Sequence, residues 1–285
     1  MGSENLISFP LFNFETEDLF FEFSTSLTLK RHLYKPSQRD KLFCLAGHEI
    51  QSIQEQDFWL FISRNEQNEL PEAELANLLL LAFWVFNSTQ VQLRYKFEKD
   101  GFSRLLDRFQ FNKFEKNKNN FSIEDLKIIK NIYGKFVEVT LRRSRLNTAL
   151  LSTLYGCFAS NWRPAVLLYA SAFEAILNYS KEPGITKRLG KCFACLMTND
   201  IEKRDFYYSE FVSAYNLRSN VMHGRIIKGN PDQNLRNLAH LANLLRVLWQ
   251  EIVKNEKLIG RLDAEDKKRE QLFAEIINGY VAPQI

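Results

Sequence analysis

The chain has 285 residues, of which 45% are hydrophobic and 25% are charged, a balance typical of soluble globular proteins. It has 24 phenylalanines but only 11 glycines and 7 prolines, which argues against a disordered chain and against a loop-rich fold held by disulfides. The longest apolar run, Leu78 to Phe86, is too short to span a bilayer. No basic segment followed by an apolar stretch begins the sequence, so we expect no secretory signal, no membrane association and a cytoplasmic protein.

Residues 1–120 have the mixed patterning of a small α+β domain. Residues 11–29 and 90–98 are rich in Phe, Thr, Val and Tyr and alternate locally between apolar and polar side chains, which predicts strands. Pro71, followed by acidic residues, predicts a helix with proline at its first position. That helix runs to Phe86 and is expected to be buried, because it is apolar nearly all round. Residues 112–120, with three lysines and four asparagines, predict a solvated linker.

From residue 121 onward the pattern is continuously helical. Ser122 and Asp125 have the spacing of a capping box, although Glu is the preferred second residue. The predicted helices cover residues 122–145, 146–159, 162–179, 185–197, 201–222, 231–254 and 263–278. Their short connections predict an antiparallel helical bundle. The expected fold is therefore mainly α, with a helical domain at 121–285 preceded by a small α+β domain at 1–120.

The formal net charge of +4 is unevenly distributed along the chain. Residues 1–122 have 14 basic and 17 acidic side chains, whereas residues 123–285 have 24 basic and 17 acidic ones. The helical half is therefore the basic half, which agrees with a polyanionic partner such as RNA.

The pair Cys192 and Cys195 forms a Cys-x-x-Cys motif, which can indicate metal or redox chemistry. No second pair of ligands lies nearby in the sequence to complete a zinc site. Both cysteines are also in an apolar helical run, where cysteine behaves as a small hydrophobic residue. We therefore interpret both as core residues and expect neither a metal nor a cofactor.

Arg218 and His223, near the predicted end of the helix at 201–222, have the most suggestive chemistry. Arginine offers a planar, charged fork of donors that matches phosphate oxygens. Histidine accepts and returns a proton near neutral pH. Five residues of regular helix turn through about 500°, so the two side chains would point roughly 140° apart. They share a site only if the helix ends between them, which Gly224 allows because glycine is typical just past a helix end.

This segment resembles the HEPN superfamily of all-helical domains and, within it, the ApeA-like branch. The superfamily motif is an arginine, four to six residues and then a histidine. The branch often has Arg-Ser, two or three mostly apolar residues and His-Gly, as Arg218-Ser219 and His223-Gly224 do here. An apolar helix at 165–178 with one glutamate, Glu174, followed by a helix at 186–197, is also typical of the branch. The resemblance covers roughly residues 123–280 and implies a HEPN-type bundle.

The resemblance implies a metal-independent endoribonuclease. The RNA 2′-hydroxyl would attack the adjacent phosphorus, with His223 as general base or acid and Arg218 holding the phosphate. The products would be a 2′,3′-cyclic phosphate and a 5′-hydroxyl. HEPN domains commonly dimerise with their motifs facing one another, so a homodimer with a composite site is expected. The family's usual context is prokaryotic anti-phage or stress defence, in which residues 1–120 would sense a trigger, bind a regulatory partner or restrain the nuclease.

Further residues are expected to support the site. Asn220 would orient His223 or donate to the phosphate, and Glu174 would pair with Arg218 and fix its rotamer. Ser219 stands where many active HEPN nucleases have Asn, Asp or His, although serine is common in the ApeA-like branch. His32, His48 and His240 are interpreted as structural. RNA binding is expected at five basic residues: Arg142, Arg143, Arg145, Arg225 and Lys228.

Two alternatives stay open at this point. One is a non-catalytic HEPN module that binds RNA or nucleotides, or that only dimerises. The other is a scaffold protein whose basic half contacts an acidic protein partner. For the pair itself, the alternative to an active site is that His223 is a helix C-cap and Arg218 a surface ion-pair partner.

Overall fold

The first unit of the chain contains an antiparallel sheet. Described here by a computed structural model, the structure covers residues 6–35, 45–63, 69–98, 101–105, 119–142, 144–180, 182–224, 231–278 and 280. The strands are β1 (Leu6–Phe12), β2 (Phe20–Ser24), β3 (Leu27–Arg31), β4 (Phe58–Ser63), β5 (Gln92–Leu93), β6 (Tyr95–Glu98) and β7 (Gly101–Arg104). They lie in the order β2-β3-β4-β1-β6-β7, and β5 pairs with the end of β1. The predicted strand regions at 11–29 and 90–98 thus include β2, β5, β6 and most of β3, whereas β4, β7 and most of β1 were missed.

A helix covers each face of this sheet. Trp59 and Leu60 are neighbours in β4, so their side chains point to opposite faces. On the Leu60 face, helix α2 (Glu72–Phe86) buries Phe83, whose ring meets that of Phe23 edge to face at 6.0 Å. On the Trp59 face, helix α1 (Gly47–Gln54) buries Ile53 in a cluster with Trp59. Helix α2 is apolar nearly all round and is buried, as its sequence predicts, although Pro71 is its N-cap and not its first helical residue.

The described residues that follow form the helices α3 (Ile123–Leu141), α4 (Arg145–Phe158), α5 (Trp162–Leu177), α6 (Ile185–Met197), α7 (Ile201–Met222), α8 (Pro231–Lys254), α9 (Glu256–Leu262) and α10 (Asp266–Ile277). The described residues are therefore mainly helical, with an antiparallel sheet near the N-terminus. Helices α6 and α7 have the predicted limits, and α10 agrees with the helix predicted at about 263–278, whereas α9, which Asn255 caps, was missed. In these same ranges no helix is both long and apolar enough to cross a membrane.

The division into compact units differs from the predicted boundary at residue 120. Among the described residues, those up to Val137 cluster in the first unit and those from Glu138 onward in the second. Phe121 is fully buried, and its ring stacks on that of Phe14 with centroids 5.3 Å apart. The predicted capping box is confirmed, since the Ser122 amide donates to Asp125 and the Asp125 amide donates to Ser122. The cap marks the start of α3 correctly but not a boundary between units. Most of the predicted linker, 112–118, lies outside the described residues.

Close packing and the buried cation Arg269 organise the second unit. A Cβ added to Gly156 of α4 would lie 2.5 Å from the ring of Tyr169 in α5, so only glycine permits this approach. Arg269 of α10 is fully buried. Its guanidinium donates to the carbonyl oxygens of Ile176 (2.9 Å) and Asn178 (3.1 Å), at the C-terminal end of α5. Because those carbonyls have no partner within the helix and carry partial negative charge, the cation satisfies that end.

Candidate functional site

Helix α7 presents the candidate residues at its C-terminal end. It begins at Asp200, whose carboxylate accepts from the amide of Glu202 at 3.1 Å. It ends at His223, the C-cap, whose amide donates to the carbonyl oxygen of Ser219 at 3.1 Å. Gly224 follows in the left-handed region at φ +58°, a conformation that glycine adopts without steric cost. Regular helix therefore continues through Arg218 to Met222, and the chain changes direction only after His223, at Gly224.

The packing of α5 on α7 places a carboxylate beside Arg218. Phe173 and Phe211 meet edge to face with ring centroids 5.0 Å apart, and both are fully buried. The next residue of α5, Glu174, lies where α7 presents Tyr215 and Arg218, three residues apart and so on one face of the helix. The Arg218 guanidinium is 3.3 Å from Glu174 Oε1, and both side chains are 29% exposed. The sequence predicted this pair.

Tyr215 adds a second donor to the same oxygen. Its hydroxyl donates to Glu174 Oε1 at 2.5 Å, while its ring, 1% exposed, stacks on that of Phe211. Burial raises the pKa of Tyr215, and the hydrogen bond to Glu174 and the carboxylate's charge raise it further. Tyr215 therefore stays protonated at neutral pH and acts as a donor. Sequence reasoning missed this residue, because its i to i+3 spacing from Arg218 was the only available signal.

The remaining residues of the motif are at the helix surface. His223 is exposed, and Asn220 and Ser219 are partly exposed. Within the described ranges, the side chain of His223 makes no hydrogen bond or ion pair. The structure thus brings Arg218 together with Glu174 and places His223 separately, at the end of the same helix.

The five basic residues expected to bind RNA do not form one described cluster. Arg142 pairs with Glu138 on its own helix, and Arg145 pairs with Asp266 of α10 at 2.7 Å. Both ion pairs are surface pairs that keep the cations exposed. Arg143, Arg225 and Lys228 lie outside the described residues.

His240, interpreted as structural, has a carboxylate partner that sequence reasoning missed. Its Nε2 is 2.9 Å from Glu210 Oε2, with α8 supplying the histidine and α7 the carboxylate. Eight residues of α7 separate Glu210 from Arg218, a rise of about 12 Å. His240 is therefore more than two helical turns removed from Arg218. No local sequence signal links two residues 30 positions apart on different helices.

Cys192 and Cys195 are buried free thiols, as the interpretation of both as core residues predicts. Burial raises the pKa of each thiol, so both stay protonated at neutral pH. Across the described part of the chain, no group of three or more His, Cys, Asp or Glu side chains is arranged to hold a metal ion.

Comparison of the chain with protein-family models, with curated proteins and with solved structures found no match to any of them.

Proposed function

We propose that this protein is a metal-independent endoribonuclease of the HEPN type, with Arg218 and His223 as its catalytic residues. One observation supports the proposal most: a guanidinium held by a carboxylate lies on the last turns of a helix whose C-cap is an exposed histidine. In the proposal, Arg218 binds the phosphate and the imidazole at the helix end transfers protons. The usual context of such nucleases, anti-phage or stress defence, is part of the proposal, as is a sensing or regulatory role for residues 1–120.

In the proposed reaction, the 2′-oxygen of a ribose attacks the adjacent phosphorus and the bond from phosphorus to the 5′-oxygen breaks. One histidine takes the proton of the 2′-hydroxyl, and a protonated group gives a proton to the leaving 5′-oxygen. Arg218 stabilises the negative charge that develops on the phosphoryl oxygens. The products are a 2′,3′-cyclic phosphate and a 5′-hydroxyl. DNA, which has no 2′-hydroxyl, is not cleaved.

Glu174 and Tyr215 act as positioning residues in this proposal. Glu174 contacts one terminal nitrogen of Arg218. A guanidinium has five N–H donors in a fixed fork, so donors remain for a phosphate after one contact with a carboxylate. The Tyr215 hydroxyl fixes the carboxylate from the buried side. Together they hold the Arg218 side chain in one orientation before RNA binds, which lowers the entropy lost on binding.

A homodimer completes the proposed site. One histidine is poorly suited to remove one proton and deliver another in a single step, whereas two copies of His223 share these tasks. The other described histidine of the helical unit, His240, is paired with Glu210 and lies more than two helical turns from Arg218. A second chain is therefore the proposed source of the second imidazole.

The Arg218–Glu174 pair favours one alternative function, a non-catalytic module that binds RNA or nucleotides or only dimerises. An arginine already neutralised by a carboxylate offers less net charge to a transition state. The two functions differ in one measurable respect, because the alternative retains RNA binding or dimerisation with no bond cleavage.

Cleavage of end-labelled single-stranded RNA by the purified full chain, in the presence of EDTA, tests the proposal. Arg218→Ala and His223→Ala are each expected to lower the cleavage rate by at least about 100-fold. The matched controls Arg163→Ala and His48→Ala replace exposed residues remote from the motif in sequence and are expected to retain the wild-type rate. A DNA strand of the same sequence should stay intact, and the RNA products should carry a cyclic phosphate. Cleavage that survives both motif substitutions would contradict the proposal, and RNA binding without cleavage would support the alternative.

A further inference from the structure

A cleft of about 430 Å³ opens in the second unit, between the C-terminal end of α6, the end of α8, and helices α9 and α10. Its floor is apolar and consists of Leu196, Leu258, Leu272 and Ile276. The Cys195 side chain, 5% exposed, completes this floor. Because burial keeps that thiol protonated, it contributes a neutral, polarisable wall. The volume and the apolar floor are those of a small-molecule site.

The rim of the cleft is basic. Lys254, Lys257 and Arg261 line it, whereas Glu251 is the one carboxylate among its lining residues. Lys254 contacts Glu251 at 2.6 Å. For Lys257, the described ranges contain no ion-pair partner. The rim therefore has an excess of positive charge above an apolar floor.

The ion pairs at the rim are easily exchanged. Arg261 pairs with Glu275, and the side chains of Lys254 and Arg261 are 67% and 48% exposed. Exposed pairs of this kind contribute little net stability, since water screens them and both side chains lose freedom. An incoming anion that also buries apolar surface replaces such carboxylate contacts at small cost. A neutral or cationic ligand gains no comparable attraction.

This cleft is distant from the Arg218 motif. The Glu210–His240 pair marks a common level of α7 and α8, which are consecutive helices with a short connection and so run antiparallel. From that level, Arg218 is eight residues along α7 in one direction, and Lys254 is 14 residues along α8 in the other. At the helical rise of 1.5 Å per residue, the two sites are roughly 30 Å apart.

We infer that the cleft binds a small amphipathic anion, whose apolar body covers the leucine and isoleucine floor and whose anionic group lies against Lys254, Lys257 and Arg261. Its apolar part accounts for affinity through the area removed from water, and the rim selects the sign of the charge. Binding at this distance from Arg218 is independent of the proposed nuclease site.

A fluorescence titration of the full chain with anilinonaphthalene sulfonate, itself an amphipathic anion, tests this inference. The variant K254Q/K257Q/R261Q is expected to bind the probe about tenfold more weakly than wild type, or worse. The matched control K187Q/K267Q/K268Q removes three exposed cations of the same unit that do not line the cleft, and is expected to bind as wild type does. Circular dichroism checks that each variant is folded. Lys257→Gln alone, expected to weaken binding about threefold, serves if the triple variant is not folded.

Competition identifies the chemistry of the ligand. Decanoate is expected to displace the probe, whereas inorganic phosphate at the same concentration is not, because it has no apolar body. The Arg218→Ala variant is expected to bind the probe as wild type does, so that a failed nuclease assay leaves this result unaffected. Equal probe affinity in wild type and the cleft variant, or no binding to wild type, would overturn the inference. Displacement by phosphate as effective as that by decanoate would also overturn it, since it would show a simple anion site.

Discussion

The hydroxyl of Tyr215 lies 2.5 Å from Oε1 of Glu174, and the same oxygen contacts the guanidinium of Arg218 at 3.3 Å. Tyr215 belongs to the buried face of α7, whereas Arg218 is partly exposed at its edge. One carboxylate oxygen on α5 thus links a core residue to a surface cation. Substitution of Tyr215 should therefore affect the stability of the fold, and substitutions that alter the ion pair should affect how Arg218 binds a phosphate.

Tyr215→Phe is expected to lower the free energy of unfolding by about 1.5–3 kcal/mol, because a hydrogen bond to a charged group is lost in a partly buried place. Urea denaturation of the purified variant measures this change. Tyr155→Phe is the matched control, since Tyr155 is 56% exposed and should unfold as wild type does. Equal urea midpoints for Y215F and wild type would show that the hydrogen bond from Tyr215 to Glu174 does not stabilise the folded protein.

Glu174→Gln is expected to change phosphate binding at Arg218 with little change in the free energy of unfolding. The amide oxygen still accepts from Tyr215, but the charge that attracts Arg218 is gone. Because the ion pair is partly exposed, unfolding should change by no more than about 1 kcal/mol. The affinity for RNA should rise, since Arg218 is no longer neutralised, and any cleavage rate should fall, since its orientation is looser. Fluorescence anisotropy measures the RNA affinity of the variant, with Glu202→Gln, an exposed position on α7, as the control. Weaker RNA binding by Glu174→Gln than by wild type would contradict the prediction.

Arg269→Met is expected to destabilise the second unit strongly. The change leaves the buried carbonyl oxygens at the end of α5 without a hydrogen-bond donor. The free energy of unfolding is therefore expected to fall by about 3 kcal/mol. Arg269→Lys should give an intermediate loss, because an ammonium does not reproduce the planar fork. Thermal denaturation compares both with Lys268→Met, an exposed neighbour whose change should be small. A melting temperature of R269M equal to that of K268M would refute a capping role.

The stability of the first unit should depend on pH through Glu49. Its carboxylate accepts hydrogen bonds from Arg104, from the Ala46 amide and from Tyr95. These contacts, chiefly the one with Arg104, lower the pKa of Glu49 from 4.5 to about 2. Since the folded-state pKa is the lower one, the stabilisation is complete above pH 4.5 and is lost as the pH falls towards 2.

Urea midpoints at pH 6 and pH 3 measure this effect. Glu49→Gln should lose less stability between the two values than wild type, because the substituted group does not titrate. Glu17→Gln, an exposed position, should follow wild type. The same pH dependence in E49Q and wild type would assign the effect to other groups.

Local signals explain which elements were predictable. The limits of α7 agree with prediction because Asp200 and Gly224 act on their own helix end within a few residues. Strand β4 and helix α1 were missed, since β4 is an almost unbroken apolar segment, FWLFIS, with no alternation. The capping box marks the start of α3, but the burial of Phe121 depends on rings elsewhere in the first unit, which no local pattern signals.

The sequence by itself determined the helix that ends at His223, and with it the spacing of Arg218 and His223 along that helix. Only the tertiary structure decided which neighbours these residues have. Tyr215 and Arg218 meet Glu174, 41 and 44 positions away, because Phe173 packs on Phe211 and sets the contact of α5 with α7. Helix ends depend on a few adjacent residues, whereas the partner of a charged side chain depends on how distant apolar faces pack together.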